Sequence, residues 1–257
     1  MSSIVVAGDV SGSVTLSAPS AAGSVVITLP SSSGTMAITG SSPSFATLTV
    51  TGDASISGLT VGKGGGAVSG NTAVGASALA ANTTATETTA LGSEALKVNT
   101  TGSSNTALGE RTLKTNTTGA SNTAVGSATM FNNTTGTENV AVGRLTMVSN
   151  TTGNYNTAAG KDALYSNTTA SNNTAVGYQA GYTSATSGEQ TFIGYQAGKL
   201  ITGAQNTMIG SQSGVSATSG VNNTFVGYGA GSSVTTGGKN SIFGSYSGNQ
   251  GGLDILR

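Results

Sequence analysis

Asn-Thr-Ala-Val-Gly, first seen at Asn71 to Gly75, returns with small variations along most of the chain, so that its closing glycine recurs as Gly92, Gly109, Gly126, Gly143, Gly160, Gly177, Gly194, Gly210, Gly227 and Gly244. Every step is 17 residues except that from Gly194 to Gly210, which is 16. A linker without structure has no reason to hold such a register, whereas stacked equal units require it. Numbering the places of the unit from its Asn, the consensus reads Asn-Thr-Ala-Val-Gly-x-x-Ala-Leu-x-x-Asn-Thr-Thr-Gly-x-x. Glycines and Asn-Thr pairs punctuate β-prone runs too short for a helix. At about 3.3 Å per strand residue, 17 residues with their turns close one turn of a coil, which stacks on the next at about 4.8 Å. The expected fold is all-β: a parallel β-solenoid or β-roll of eleven coils, a rod on the order of 50 Å long.

The third place reads Ala73, Ala90, Ala107, Ala124, Ala141, Ala158, Ala175, Phe192, Met208, Phe225 and Ile242, and the fourth is Val, Leu, Ile, Ala or Phe throughout. Neighbours on a strand point to opposite faces, so two adjacent apolar places predict a strand covered on both sides. One cover is the coil's own interior. The other is either a second wall of the same chain or, as a coil this short suggests, another copy of it.

The array changes character along its length. The first six units carry Ala-Leu, Thr-Leu or Thr-Met in the eighth and ninth places, as in Ala78-Leu79 and Thr129-Met130, followed by Asn-Thr-Thr. From Gly177 on, those places read Ala180-Gly181, Ala197-Gly198, Ser213-Gly214, Ala230-Gly231 and Ser247-Gly248, while the third place grows to Phe or Met. A change of cross-section near residue 177 is expected inside one shaft spanning 67–249. Residues 1–66 lack the unit but hold short alternating runs at Val14–Leu16, Val25–Leu29 and Thr47–Val50, read as strands of an attachment and trimer-initiating segment. Residues 250–257 form a C-terminal tail.

Composition removes whole classes of function. With no His and no Cys, the chain has no imidazole or thiolate metal site, thiol nucleophile or Ser-His-Asp relay. Nine basic and nine acidic residues, scattered, make no stripe for nucleic acid. No apolar run approaches a membrane span. Val, Leu, Ile and Phe make up only about 19% of the chain, at the threshold for disorder, but 7% charged residues and a net charge of zero do not fit a self-repelling tail.

The Asn-Thr-Ala-Val-Gly unit resembles the Ser-Val-Ala-Ile-Gly type repeat of trimeric autotransporter adhesin heads, which are left-handed parallel β-rolls packed as homotrimers. Its longer form, Asn122 to Gly126 with Asn133-Thr134-Thr135-Gly136, and Asn173 through Gly181, is similar to repeats of bacteriophage tail fibres and related virion fibres. So is the opening, Gly12 to Leu16 through Ile27-Thr28-Leu29-Pro30 and Gly34 to Ala37. The ending Gly251-Gly252-Leu253-Asp254-Ile255 resembles the stretch that leads into a self-cleaving C-terminal chaperone. An autotransporter would bring a signal peptide, a coiled-coil stalk and a membrane anchor, and the sequence shows none of them, which favours the phage resemblance. It implies an intertwined homotrimer, contacts with other virion proteins through the N-terminal segment, a place on the virion as an extracellular appendage, and contact with host-surface polysaccharide.

Val61-Gly62-Lys63-Gly64-Gly65-Gly66 looks like a phosphate loop only superficially, since no Gly-Lys-Ser/Thr pair opens a helix, and is read as a turn. Asn82, Asn99, Asn116, Asn133, Asn150 and Asn167 are expected to form a hydrogen-bonded ladder at a turn. No Asp repeats at a common place, which rejects a calcium array. Glu87, Glu138 and Glu189 share the last place but lie three coils apart, about 14 Å, too far for a glycosidase pair within one wall. Glu94 and Arg111 are expected to pair, and Lys97 above Lys114 to repel. Tyr178, Tyr195 and Tyr228 share the sixth place and Tyr246 follows one place later; aromatics on a solvent wall suit sugar rings or stack coil on coil. The reading is a structural, non-enzymatic phage fibre without cofactor or metal that contributes to host adhesion. The alternatives are the head of a bacterial trimeric surface adhesin and an ice-binding solenoid. The adjacent threonines of Asn-Thr-Thr argue against the last, because an ice face wants every second residue on one wall.

Overall fold

The computed structural model describes residues 54–56 and 59–248. The strand runs expected before residue 51 and the tail 250–257 lie outside the described residues. Within them, thirteen short strands form one sheet in chain order: β1 (Ala54–Ile56), β2 (Leu59–Gly62), β3 (Thr72–Val74), β4 (Thr89–Leu91), β5 (Thr106–Leu108), β6 (Thr123–Val125), β7 (Val140–Val142), β8 (Thr157–Ala159), β9 (Thr174–Val176), β10 (Thr191–Ile193), β11 (Thr207–Ile209), β12 (Thr224–Val226) and β13 (Ser241–Phe243). From β3 onward every pairing is parallel and places like against like, as in Ala90↔Ala107 and Phe192↔Met208. The chain is an all-β parallel β-solenoid, with ten full coils of the repeat and the strand of an eleventh.

Each coil has one strand of three residues, and the remaining fourteen places turn. They are nonetheless bonded from coil to coil: Leu96 N–H donates to Thr112 O at 3.0 Å, and Thr117 N–H to Thr134 O at 2.9 Å. Closing so tight a coil needs left-handed backbone at three places that carry side chains. Place 7 (Arg111, φ 55°), place 9 (Leu113, φ 51°) and place 17 (Ser121, φ 57°) hold it in successive coils. Such residues cost about 1–2 kcal/mol each, so the stacking must over-determine them. Place 5 admits only glycine: Gly109 has φ 133°, and a Cβ there would lie 2.7 Å from the carbonyl carbon of Gly126 in the next coil.

The interior is narrow and half polar. Place 3 points inward and is buried in every coil, facing the buried residues of place 9. At place 12 the expected asparagine ladder is present from Asn99 to Asn167: Asn116, Asn133, Asn150 and Asn167 each donate Nδ2–H to Oδ1 of the preceding Asn at 2.7 Å, whereas Asn82 stays outside it, its Oδ1 without a partner among the described residues and the Asn99 amide turned to Gly102 O. A second ladder runs along place 1, where the backbone N–H of Asn122, Asn139, Asn156 and Asn173 each donates to Oδ1 of the Asn one coil earlier at 2.9–3.1 Å. Threonines add a third set. At place 13, Thr100, Thr117, Thr134 and Thr151 donate Oγ1–H to the same place in the next coil at 2.9–3.1 Å. Buried asparagines are tolerated because inside the ladder each amide is satisfied by an identical neighbour and a backbone carbonyl, as Asn116 and Asn133 are.

The N-terminal end of the stack is covered. β2 pairs antiparallel with both β1 and β3, and the glycine-rich segment after it, with a 3-10 turn at Gly65–Ala67, packs on the first coil. Gly65 N–H donates to Leu79 O at 2.9 Å, and Asn82 Nδ2–H to Gly65 O at 3.2 Å. Residues Val61 to Gly66 thus form a strand end and a turn over the open core, with no helix behind them.

Candidate interaction surfaces

The strand wall is the most regular surface. With place 3 inward, places 2 and 4 point outward, so the expected double burial resolves into one covered face and one open one. Place 2 is Thr in nine of the eleven repeat strands, with Val140 and Ser241 as the exceptions. Place 4 is an apolar column, aliphatic until it ends in Phe243 (63%), in which Leu91 (47%), Val142 (43%), Val176 and Ile193 (40%) stand exposed and the others half-buried. Among the described residues, no second layer lies over this wall. An apolar stripe about 50 Å long, one strand wide, therefore faces outward.

After the strand, places 6, 7 and 10 build a second surface that differs between the two ends of the rod. In the early coils it is charged. Glu94 accepts from Lys97 at 2.7 Å and lies 2.8 Å from Lys114, with Arg111 at 3.8 Å and Glu110 beyond it, 3.0 Å from Arg111. The expected Lys97–Lys114 repulsion is thus answered by a carboxylate between them, because place 7 of one coil reaches place 10 of its own and of the next. Hydrogen bonds from Lys114 and then Lys97 hold the Glu94 carboxyl down at about 2.

In the middle coils the same surface is aromatic. Tyr178 and Tyr195 stack at 5.5 Å between centroids with 21° between planes, and Lys161 Nζ lies 5.5 Å from the Tyr178 ring. Beside them at place 10, Tyr165 and Tyr182 stack at 4.9 Å and 15°. Burial, together with Tyr165, Asp162 and Tyr178 nearby, pushes the Tyr182 hydroxyl above its ordinary value. Gln196 Nε2–H donates to Gln179 Oε1 at 3.0 Å in the adjoining column. Of the four tyrosines singled out from the sequence, the structure brings together Tyr178 and Tyr195. Tyr228 (69% exposed) is separated from them by Ser211, and Tyr246 (44%) lies at place 7. The Tyr165–Tyr182 pair was overlooked, though its 17-residue spacing is the signal that finds it.

The third surface is the corner of places 13–17. Coil 8 is the short one: Thr202 and Gly203 occupy places 13 and 15, so place 14 is missing. Beside the gap is a notch of about 360 Å³ lined by Thr169, Ser171, Asn172, Thr186, Glu189 and Gln205, among others. Gln205 Nε2–H donates to Glu189 Oε2 across its rim at 2.9 Å. Among the described residues, no cluster of three His, Cys, Asp or Glu is placed to hold a metal, and no helix is long and apolar enough to cross a membrane. No protein-family model, curated protein or solved structure matches the chain.

Proposed function

We propose that the chain is the shaft of a homotrimeric bacteriophage virion fibre, non-enzymatic, mounted through residues 1–66 on other virion proteins and contributing to adhesion at the host surface. The observation that carries this reading is the open strand wall. An apolar column that keeps its place through eleven strands is a surface made to be covered, and three rods turned inward on such walls bury it around a common axis. The tyrosines of coils 6–8, with Gln179 and Gln196 beside them, support contact with host polysaccharide, since a ring face and an amide suit a sugar's two kinds of surface. Light scattering in native buffer tests the assembly: three times the chain mass is expected, and a monomer mass sinks the reading. The head of a bacterial surface adhesin would share the trimer, and finding this chain in purified virions separates the two.

One observation favours a second reading, ice binding. The every-second-residue arrangement that Asn-Thr-Thr lacks is met on the strand wall, with Thr at place 2 and an aliphatic at place 4. The two readings use the same wall in opposite ways, one covered and one wet. Absence of thermal hysteresis removes the second.

A further inference from the structure

In any parallel cyclic assembly on this wall, the edge before each strand (place 17) meets the edge after the matching strand (place 6) of the next copy. The residues flanking each strand therefore report on compatibility level by level. Most levels set neutral against neutral or one charge against a neutral group: Glu87 and Ser93 flank β4, Ser104 and Glu110 flank β5, Ser121 and Ser127 flank β6, Glu189 and Tyr195 flank β10, Lys239 and Ser245 flank β13. None is flanked by like charges. Only β7 is flanked by opposite ones, Glu138 before it and Arg144 after it.

Three further facts converge on β7. Glu138 and Arg144 are both exposed, and neither side chain has a hydrogen-bond or ion-pair partner among the described residues. They stand at opposite ends of a strand of three residues, too far apart to pair with each other. And β7 is the one repeat strand with aliphatic side chains in both outward places, Val140 at 41% and Val142 at 43% exposed. An antiparallel pairing of rods would set leading edge against leading edge and bring Glu138 no cation at its own level. A parallel cyclic one brings Glu138 of each copy to Arg144 of the next, around a centre of paired valines.

We infer that β7 is the registering layer of self-assembly: its occupant is a second copy of this chain, parallel and in register, joined by a Glu138–Arg144 ion pair across each subunit boundary. This rests on the trimeric reading above and adds to it the direction, the register and the residues. Charges at an interface rim act on partner choice and register more than on bulk affinity, which suits a wall otherwise uniform along its length.

The test is charge reversal. Glu138→Arg and Arg144→Glu, made singly, should raise the chain concentration for half assembly about threefold or more, a tenfold smaller trimerisation constant or about 1.4 kcal/mol over three contacts. The double reversal in one chain should return it to the wild-type value. Circular dichroism of each variant should match the wild type, since both side chains are exposed and unpartnered within the chain. If the wild type is trimeric and the single reversals assemble equally well, or the double reversal does not recover, the inference falls while the trimer stands. A monomeric wild type overturns both.

Discussion

Coils 1–6 and coils 8–11 share one backbone path and fill it in opposite ways. In the first set, alanine at place 3 faces Leu79, Leu96, Leu113, Met130, Met147 or Leu164 at place 9, with the asparagine ladder beside them. In the second, Phe192, Met208, Phe225 or Ile242 at place 3 faces glycine at place 9, and Ile201, Ala217 and Val234 stand where the asparagines did. The bulk each coil holds is similar; which wall provides it is free. The second arrangement also puts glycine in the left-handed backbone of place 9, where the first holds leucine or methionine against its preference. Coil 7 is the seam, small at both Ala175 and Gly181. Phe192 reaches back to fill it: a Cβ on Gly181 would lie 2.5 Å from Phe192 Cδ2. The ladder ends there too, leaving Asn167 Oδ1 buried without a partner among the described residues.

If the two fillings are true alternatives, they should be exchangeable as sets and intolerant of mixing. Gly198→Leu alone drives a side chain into the Phe192 ring and should cost about 3 kcal/mol or more, read as a lowered urea midpoint. Adding Phe192→Ala and Gly181→Leu converts coils 7 and 8 to the first type and should recover most of that loss. A triple variant no better than the single one would break the comparison. In the first set, Leu113→Ala should cost about 2–5 kcal/mol, since place 3 offers only alanines to close over the gap. Asn133→Ala should cost about 1–3 kcal/mol, because it orphans Asn116 Oδ1 and leaves the Asn150 amide only its bond to Gly153 O. Asn167→Ala, at the ladder's end, should cost visibly less.

The smallest effect lies outside the core. The folded-state pKa of Glu94, about 2, is below the ordinary 4.5, so its contribution is present above pH 4.5 and is lost as pH falls toward 2. A thermal-melting series over that range should fall less steeply for Glu94→Gln than for the wild type.

The coil, its parallel register and the exchange of bulk near residue 177 were all legible, because a repeat shows each place many times and chance cannot imitate a column. What escaped depended on how the turns fold back. Places 7 and 17 hold Glu, Arg, Ser, Tyr and Gln in left-handed backbone, a conformation enforced by stacking that leaves no trace in residue type. For the same reason Glu94 between Lys97 and Lys114 was not visible: the contact crosses a corner whose shape no spacing gives. The outward turn of place 4 followed from strand alternation once place 3 was known to face in.

The short coil carries a last consequence. Coil 8 omits place 14, yet β10 and β11 stay in register and Thr202 still donates to Thr218 O at 3.1 Å. The corner of places 13–16 therefore absorbs a change of length without passing it to the sheet or the core, which makes it the joint at which such a rod can accept insertions. Successive coils present that corner on the same side at about 4.8 Å intervals. Loops added there would stand out in a row, like teeth on a comb, with the rod as their spacing rule.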